Sequence, residues 1–93
     1  MEVKVKLFAT LRLNLKIGMV NIQTGSSVSI LELLELVSQK LNSNIISELI
    51  ENEKVIVGTI ILIDGVNILH LNKLDTIIDK DCTVSVFPPN GGG

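Results

Sequence analysis

Polar and apolar positions alternate from the second residue of the chain. Val3, Val5, Leu7 and Ala9 share one parity, and Glu2, Lys4, Lys6 and Phe8 share the other. A period of two marks a half-buried strand, with one set facing a core and the other facing out. Residues 13–18 (LNLKIG) lead into MVNIQT, and the pattern predicts a second strand turned back near Gly18. TGSS then ends the alternation. In SILELLELVSQKL the period changes: Ile30, Leu33, Leu34, Val37 and Leu41 recur at helical spacing and form one apolar face. Ser29 followed by Glu32 fits a capping box, in which each side chain satisfies a backbone donor at the helix start. NSNIISELIENE predicts a short second helix or an irregular turn. VIVGTIILIDG predicts a strongly apolar strand closed by Asp64-Gly65, and VNILHL a short edge strand. NKLDTIIDKDC is polar and turn-rich. TVSVF predicts a last strand that stops at Pro88-Pro89, because proline cannot donate to a ladder.

The expected order is β-β-α-β-β-β with one main helix. A helix between strands supports a crossover onto a mixed sheet and covers one of its faces. This is an α+β roll of the ubiquitin-like kind. It occupies residues 1–89, and residues 90–93 form a flexible glycine tail.

Composition changes this picture little. The chain has 93 residues, enough for one modest core, and 46% of them are hydrophobic. A net charge of -2 supplies neither a basic footprint for nucleic acid nor a polybasic face for membranes. No apolar run approaches the about 18–20 residues that span a bilayer, and the opening residues lack the apolar stretch of a signal peptide. Cys82 is the only cysteine, which excludes an internal disulfide and a cysteine-built metal site. A reducing cytoplasm is the expected location.

Chemistry-bearing residues are sparse. No Ser/His/Asp spacing, Walker loop or H-E-x-x-H motif occurs. His70 stands alone and is read as an edge-strand residue, Cys82 as a small buried hydrophobe, and Asp79 and Asp81 as a solvated turn. The two aromatics carry more information. Phe8 falls on the charged parity of the first strand, and Phe87 is out of phase with Val84 and Val86 in the last. If those strands are neighbours, both rings stand on one outward face, with Leu62 or Ile60 beside them. Such a patch marks a docking site, unless curling of the sheet or a bulge buries it. Beyond Phe87, Pro88 and Pro89 stiffen the exit, and Gly91, Gly92 and Gly93 form a strip narrow enough to thread a tunnel. The alternative for these glycines is an inert, frayed end.

Three stretches together resemble the MoaD/ThiS sulfur carriers, and the MoaD side most: VKVKLFATLRL, ILIDGVNILHL followed by LDTIIDKDCTVSVFPP, and the terminal glycines. The resemblance implies a ubiquitin-like β-grasp fold of about five strands with one main helix. It also implies a cycle. An E1-like, MoeB-like adenylyltransferase activates the carboxylate of Gly93 with ATP, and a sulfur donor converts it to a thiocarboxylate. The tail then enters the large, MoaE-like subunit of molybdopterin synthase and gives its sulfur to a pterin. On this chain Gly93 carries the reactive carboxyl and Gly91 and Gly92 the threading tail. Phe8, Arg12, Leu62 and Phe87 meet the partners. No cofactor is bound by the carrier itself, and ATP belongs to the activating partner. Asn90 precedes three glycines where the family has a small or apolar residue before two, so trimming would move the chemistry to Gly92. Lys80 replaces the glycine of the family's D-G-D turn and predicts an altered turn there. Other outcomes on the same fold are a modifier joined to lysines through the terminal glycine, and a carrier for thiamine or cysteine synthesis. A plain interaction module is the outcome from another class.

Overall fold

The first strand, β1 (Glu2–Leu7), buries Val3, Val5 and Leu7 completely and exposes Lys4 and Lys6, as its alternation requires. The computed structural model describes residues 1–89. β1 does not turn directly into a second strand. It runs instead into a helix, α1 (Ala9–Leu15), and the return strand β2 is Met19–Gln23. The return strand after Gly18 is as expected, but the expected order had no helix between the first two strands, and α1 corrects it. Leu11, Leu13, Leu15 and Ile17 mimic a period of two, but Ala, Leu and Arg are strong helix formers. Helical geometry sends Leu11 into the core and leaves Leu13 73% exposed. Lys16 closes the helix in the left-handed region, its N–H bonded to the Arg12 carbonyl.

A short strand, β3 (Val28–Ser29), leads into the main helix α2 (Ile30–Leu41). The capping box forms as expected. The Glu32 N–H donates to Ser29 Oγ at 3.1 Å, and the Ser29 N–H donates to Glu32 Oε1 at 2.8 Å. Ile30, Leu33, Leu34 and Val37 are buried against the sheet. Lys40, in the last turn, reaches the carbonyl of Asn21 at 2.6 Å and ties the helix to β2.

The chain then forms a one-turn helix, α3 (Ile46–Leu49), and a small hairpin of β4 (Ile50–Glu51) and β5 (Lys54–Val55). The apolar run that follows becomes strand only at β6 (Ile60–Ile63). Asp64 and Gly65, both at positive φ, turn it into β7 (Val66–Asn67), as Asp-Gly signals. β7 stops after two residues. The Asn67 side chain accepts from the Leu69 N–H at 3.0 Å and starts a 3-10 turn at Ile68–His70. VNILHL is therefore an edge strand for two residues only. A second 3-10 turn (Lys73–Asp75) precedes β8 (Ile77–Ile78), which pairs with β3. The last strand, β9, is Cys82–Phe87.

Among the described residues the main sheet is ordered β2-β1-β9-β6-β7, with β9 parallel to β1 and antiparallel to β6. One face carries the core: Val3, Val5, Leu7, Val20, Ile22, Ile61, Val84 and Val86 meet Leu11 and α2. This is the mixed sheet of a ubiquitin-like β-grasp fold. Lys80 is not at positive φ, so the turn before β9 dispenses with a glycine conformation. Asp81 fixes that turn by accepting from the Glu2 N–H at 2.8 Å.

Candidate functional site

The register of the central strands decides what stands on the open face. Lys4 lies beside Thr83 and Lys6 beside Ser85, while Leu62 is opposite Ser85 and Ile60 opposite Phe87. These residues share the side away from α2. Phe8 follows β1 directly, and its N–H donates to the carbonyl of Val86 at 3.2 Å. That bond holds the Phe8 ring against Phe87. The rings are stacked, with centroids 4.2 Å apart and planes 10° from parallel. Both are half-buried. The two aromatics that were out of phase with the core are thus one unit on the outward face. No bulge or curl places them inside.

Ile60, 42% exposed, extends this apolar patch across β6. Leu62 is half-buried one pair further along, opposite Ser85 and Asn67. The residue in direct register with the aromatic pair is therefore Ile60. Arg12 sits one helical turn after Phe8. Its guanidinium lies over Gly18, where an added Cβ would stand 3.2 Å from Nε. Glycine at 18 leaves room for this cation at the β2 side of the same end of the sheet. Met19, 42% exposed and opposite Lys6, is an outward apolar residue that sequence reasoning missed. Its signal was the parity of MVNIQ, in which Val20 and Ile22 point inward.

The end of β9 explains how the chain leaves the sheet. Val86 bonds towards β1, and Thr83 bonds towards β6 through Asp64. Alternation then turns the nitrogen of Pro88 towards β1. That side has already ended, because the chain has left for α1 after Phe8. Proline is tolerated there because no acceptor is lost. Pro88 is buried and Pro89 half-buried, so the exit is anchored at the edge of the aromatic patch. Gly91, Gly92 and Gly93 lie outside the described residues.

Elsewhere the chemistry is quiet. Cys82 is half-buried, and burial first, then Asp64 and Asp81, push its thiol pKa up, while Lys80 opposes them. A thiol held in its neutral form is a poor nucleophile. His70 is exposed on its 3-10 turn. Among the described residues no group of three His, Cys, Asp or Glu side chains is placed to hold a metal, and no helix is long and apolar enough to cross a membrane. A groove of about 870 Å³ lies between α2 and the β4–β5 hairpin, lined in part by Leu31, Ile50, Val55 and Leu74, and shares no residue with the aromatic patch.

The fold and this open face define a small ubiquitin-like protein of the β-grasp class, with an apolar face beside Pro88 and Pro89 at the end of β9. No protein-family model and no curated protein matches the sequence. Solved structures do match. The HVO 2177 protein of Haloferax volcanii superposes with a TM-score of 0.80 at 27% identity, over 100% of this chain and 87% of that one. Small archaeal modifier protein 1 of Methanosarcina acetivorans gives 0.74 at 26% identity, over 99% and 96%. A putative molybdopterin converting factor subunit 1 of Pyrococcus furiosus gives 0.71 at 22% identity, over 96% and 98%. These neighbours support the resemblance to the MoaD/ThiS group of ubiquitin-like proteins.

Proposed function

We propose that the chain is a sulfur carrier that acts as the small, non-catalytic subunit of a molybdopterin synthase. The observation that carries this reading is the stacked Phe8–Phe87 pair, with Ile60 opposite, at the root of an arm that ends in glycines. An apolar, outward-facing aromatic pair of this kind suits a docking anchor. Lys4 and Lys6 beside it favour an acidic partner surface. Phe8, Arg12, Ile60, Leu62 and Phe87 form the docking face, and Gly91, Gly92 and Gly93 form the arm that enters partner active sites.

The working group is the carboxylate of Gly93. It attacks the α-phosphate of ATP held by a MoeB-like adenylyltransferase and releases pyrophosphate. A donor that delivers sulfur at the sulfide level then attacks the acyl carbon, expels AMP and leaves a thiocarboxylate. A MoaE-like large subunit receives the loaded arm, and the sulfur passes to a pterin to form the dithiolene. The carrier binds no cofactor of its own and works in the cytoplasm. Its neutral Cys82 takes no part.

The likeness to small archaeal modifier protein 1 favours a second reading, in which the same activated glycine is joined to lysines of other proteins. The two diverge after adenylation. With a MoeB-like enzyme, ATP and a sulfur donor, the carrier reading predicts a chain heavier by the exchange of one oxygen for one sulfur. Isopeptide bonds from the terminal glycine to lysines in cell extracts, with no thiocarboxylate formed, would replace the carrier reading by the modifier reading.

A further inference from the structure

The exposed apolar residue with least cover in the described chain is outside the aromatic patch. Val57 is 95% exposed, at the corner of a turn from Ile56 to Thr59. The Thr59 N–H donates to the Ile56 carbonyl at 3.0 Å, and Gly58 takes φ +97°. A negative φ at the first corner and a positive one at the second define a type II turn, with glycine where it is needed. The turn is held at both ends. The Ile56 N–H donates to the Leu49 carbonyl at 2.8 Å, and Thr59 is buried. A β-branched apolar side chain is thus presented to solvent on a fixed support, at a corner that any polar residue would fill.

Its position gives this exposure a use. Ile60 pairs with Phe87 in the antiparallel β6–β9 register. Thr59 precedes Ile60 and Pro88 follows Phe87, both buried, so the turn adjoins the end of β6 at which the chain leaves β9. Gly93 is the fourth residue after Pro89, a reach of at most about 14 Å when fully extended. An enzyme that works on the Gly93 carboxylate must therefore bring its own surface to within that distance of Pro89. The turn at Val57 stands where that surface arrives.

We propose that Val57 is a recognition contact for the adenylyltransferase, seated in an apolar depression at the mouth of the channel that admits the arm. This rests on the reading that Gly93 is adenylated, and it holds for the carrier and the modifier alike. The contact works through binding and takes no part in the chemistry. It is separate from the Phe8–Phe87 stack, so the carrier is gripped on two sides of its exit.

The test is pyrophosphate exchange into ATP by a MoeB-like adenylyltransferase, with the full chain as the varied substrate. Val57→Asp is expected to raise KM about tenfold, the loss of one well-packed apolar anchor. kcat should stay within about twofold, since the carboxylate is untouched. Val57→Ile should behave as wild type. Ile77→Asp serves as the control for added charge, because Ile77 is 57% exposed on β8, outside the main sheet. Unchanged circular dichroism shows that each variant is folded. A wild-type KM for Val57→Asp, with exchange intact, overturns the Val57 contact and leaves the sulfur-carrier reading standing. A fall in kcat at unchanged KM also overturns it. No exchange with the wild-type chain overturns the adenylation reading and the contact with it.

Discussion

Truncating the stacked rings tests whether Phe8 and Phe87 act as one unit. Phe8→Ala and Phe87→Ala each remove a half-buried ring. A fully buried Phe→Ala change costs about 3–5 kcal/mol, so each half-buried ring should cost about 2. The near-parallel stack at 4.2 Å adds about 0.5–1.5 kcal/mol beyond burial alone, and this part is lost only once in the double variant. The double variant should therefore lose about 3 kcal/mol, with a coupling of about 1. It should remain folded, because domains of this kind hold about 5–15 kcal/mol and the core on the opposite face is intact. The chain has no Trp or Tyr, so urea unfolding is followed by circular dichroism at the helix band. Single-variant losses that add to within about 0.3 kcal/mol would refute the coupling. A double variant that no longer unfolds cooperatively would show that the pair belongs to the core instead.

Among the described residues Thr59 Oγ1 is buried and finds no hydrogen-bond partner. Thr59→Val should raise stability by about 1–2 kcal/mol, seen as a higher urea midpoint at unchanged slope. Asn52 and Glu53 both take positive φ between β4 and β5, and Glu53→Gly relieves a left-handed side chain. A gain of up to about 1 kcal/mol is expected after the entropy of glycine is subtracted, measured as a rise in melting temperature. Ser29→Ala should lower stability by about 1 kcal/mol, through the loss of the capping acceptor at the start of α2. Burial, then Asp64 and Asp81, hold the folded Cys82 thiol pKa above its ordinary value of 9.0. Above that pH the unfolded chain releases the thiol proton while the folded chain retains it, so stability should fall as pH rises through about 9. Cys82→Ala should flatten this slope, and iodoacetamide should label the folded wild type more slowly than free cysteine at pH 8.

The alternation in β1 and β9 makes the two outward aromatics legible in the sequence, because strand parity is a strict rule once two strands are neighbours. The helix α2 was legible to its first residue, since Ser29 and Glu32 fix the start chemically. α1 was not, because alternate leucines in a short segment satisfy both periods, and tertiary burial of Leu11 selects between them. The extent of β7 depended on one Asn67 side chain bonding to the backbone two residues on. Ile60 and Leu62 share a parity, so the sequence placed both on the outward face. Only the pairing register selects Ile60 as the neighbour of Phe87. Val57 carried no sequence signal, for it reads as part of an apolar run, and its exposure arises from the turn at Gly58.

The most direct test of the sulfur-carrier account is the intact mass of three forms after reaction with a MoeB-like enzyme, ATP and a sulfur donor. These are the wild-type chain, Phe87→Glu and a form lacking Gly91, Gly92 and Gly93. The account predicts that the wild type gains the mass of one oxygen exchanged for sulfur, that Phe87→Glu gains it more slowly, and that deletion of the three glycines abolishes it. An unchanged wild-type mass would contradict the account, as would the same gain in the form without the glycines.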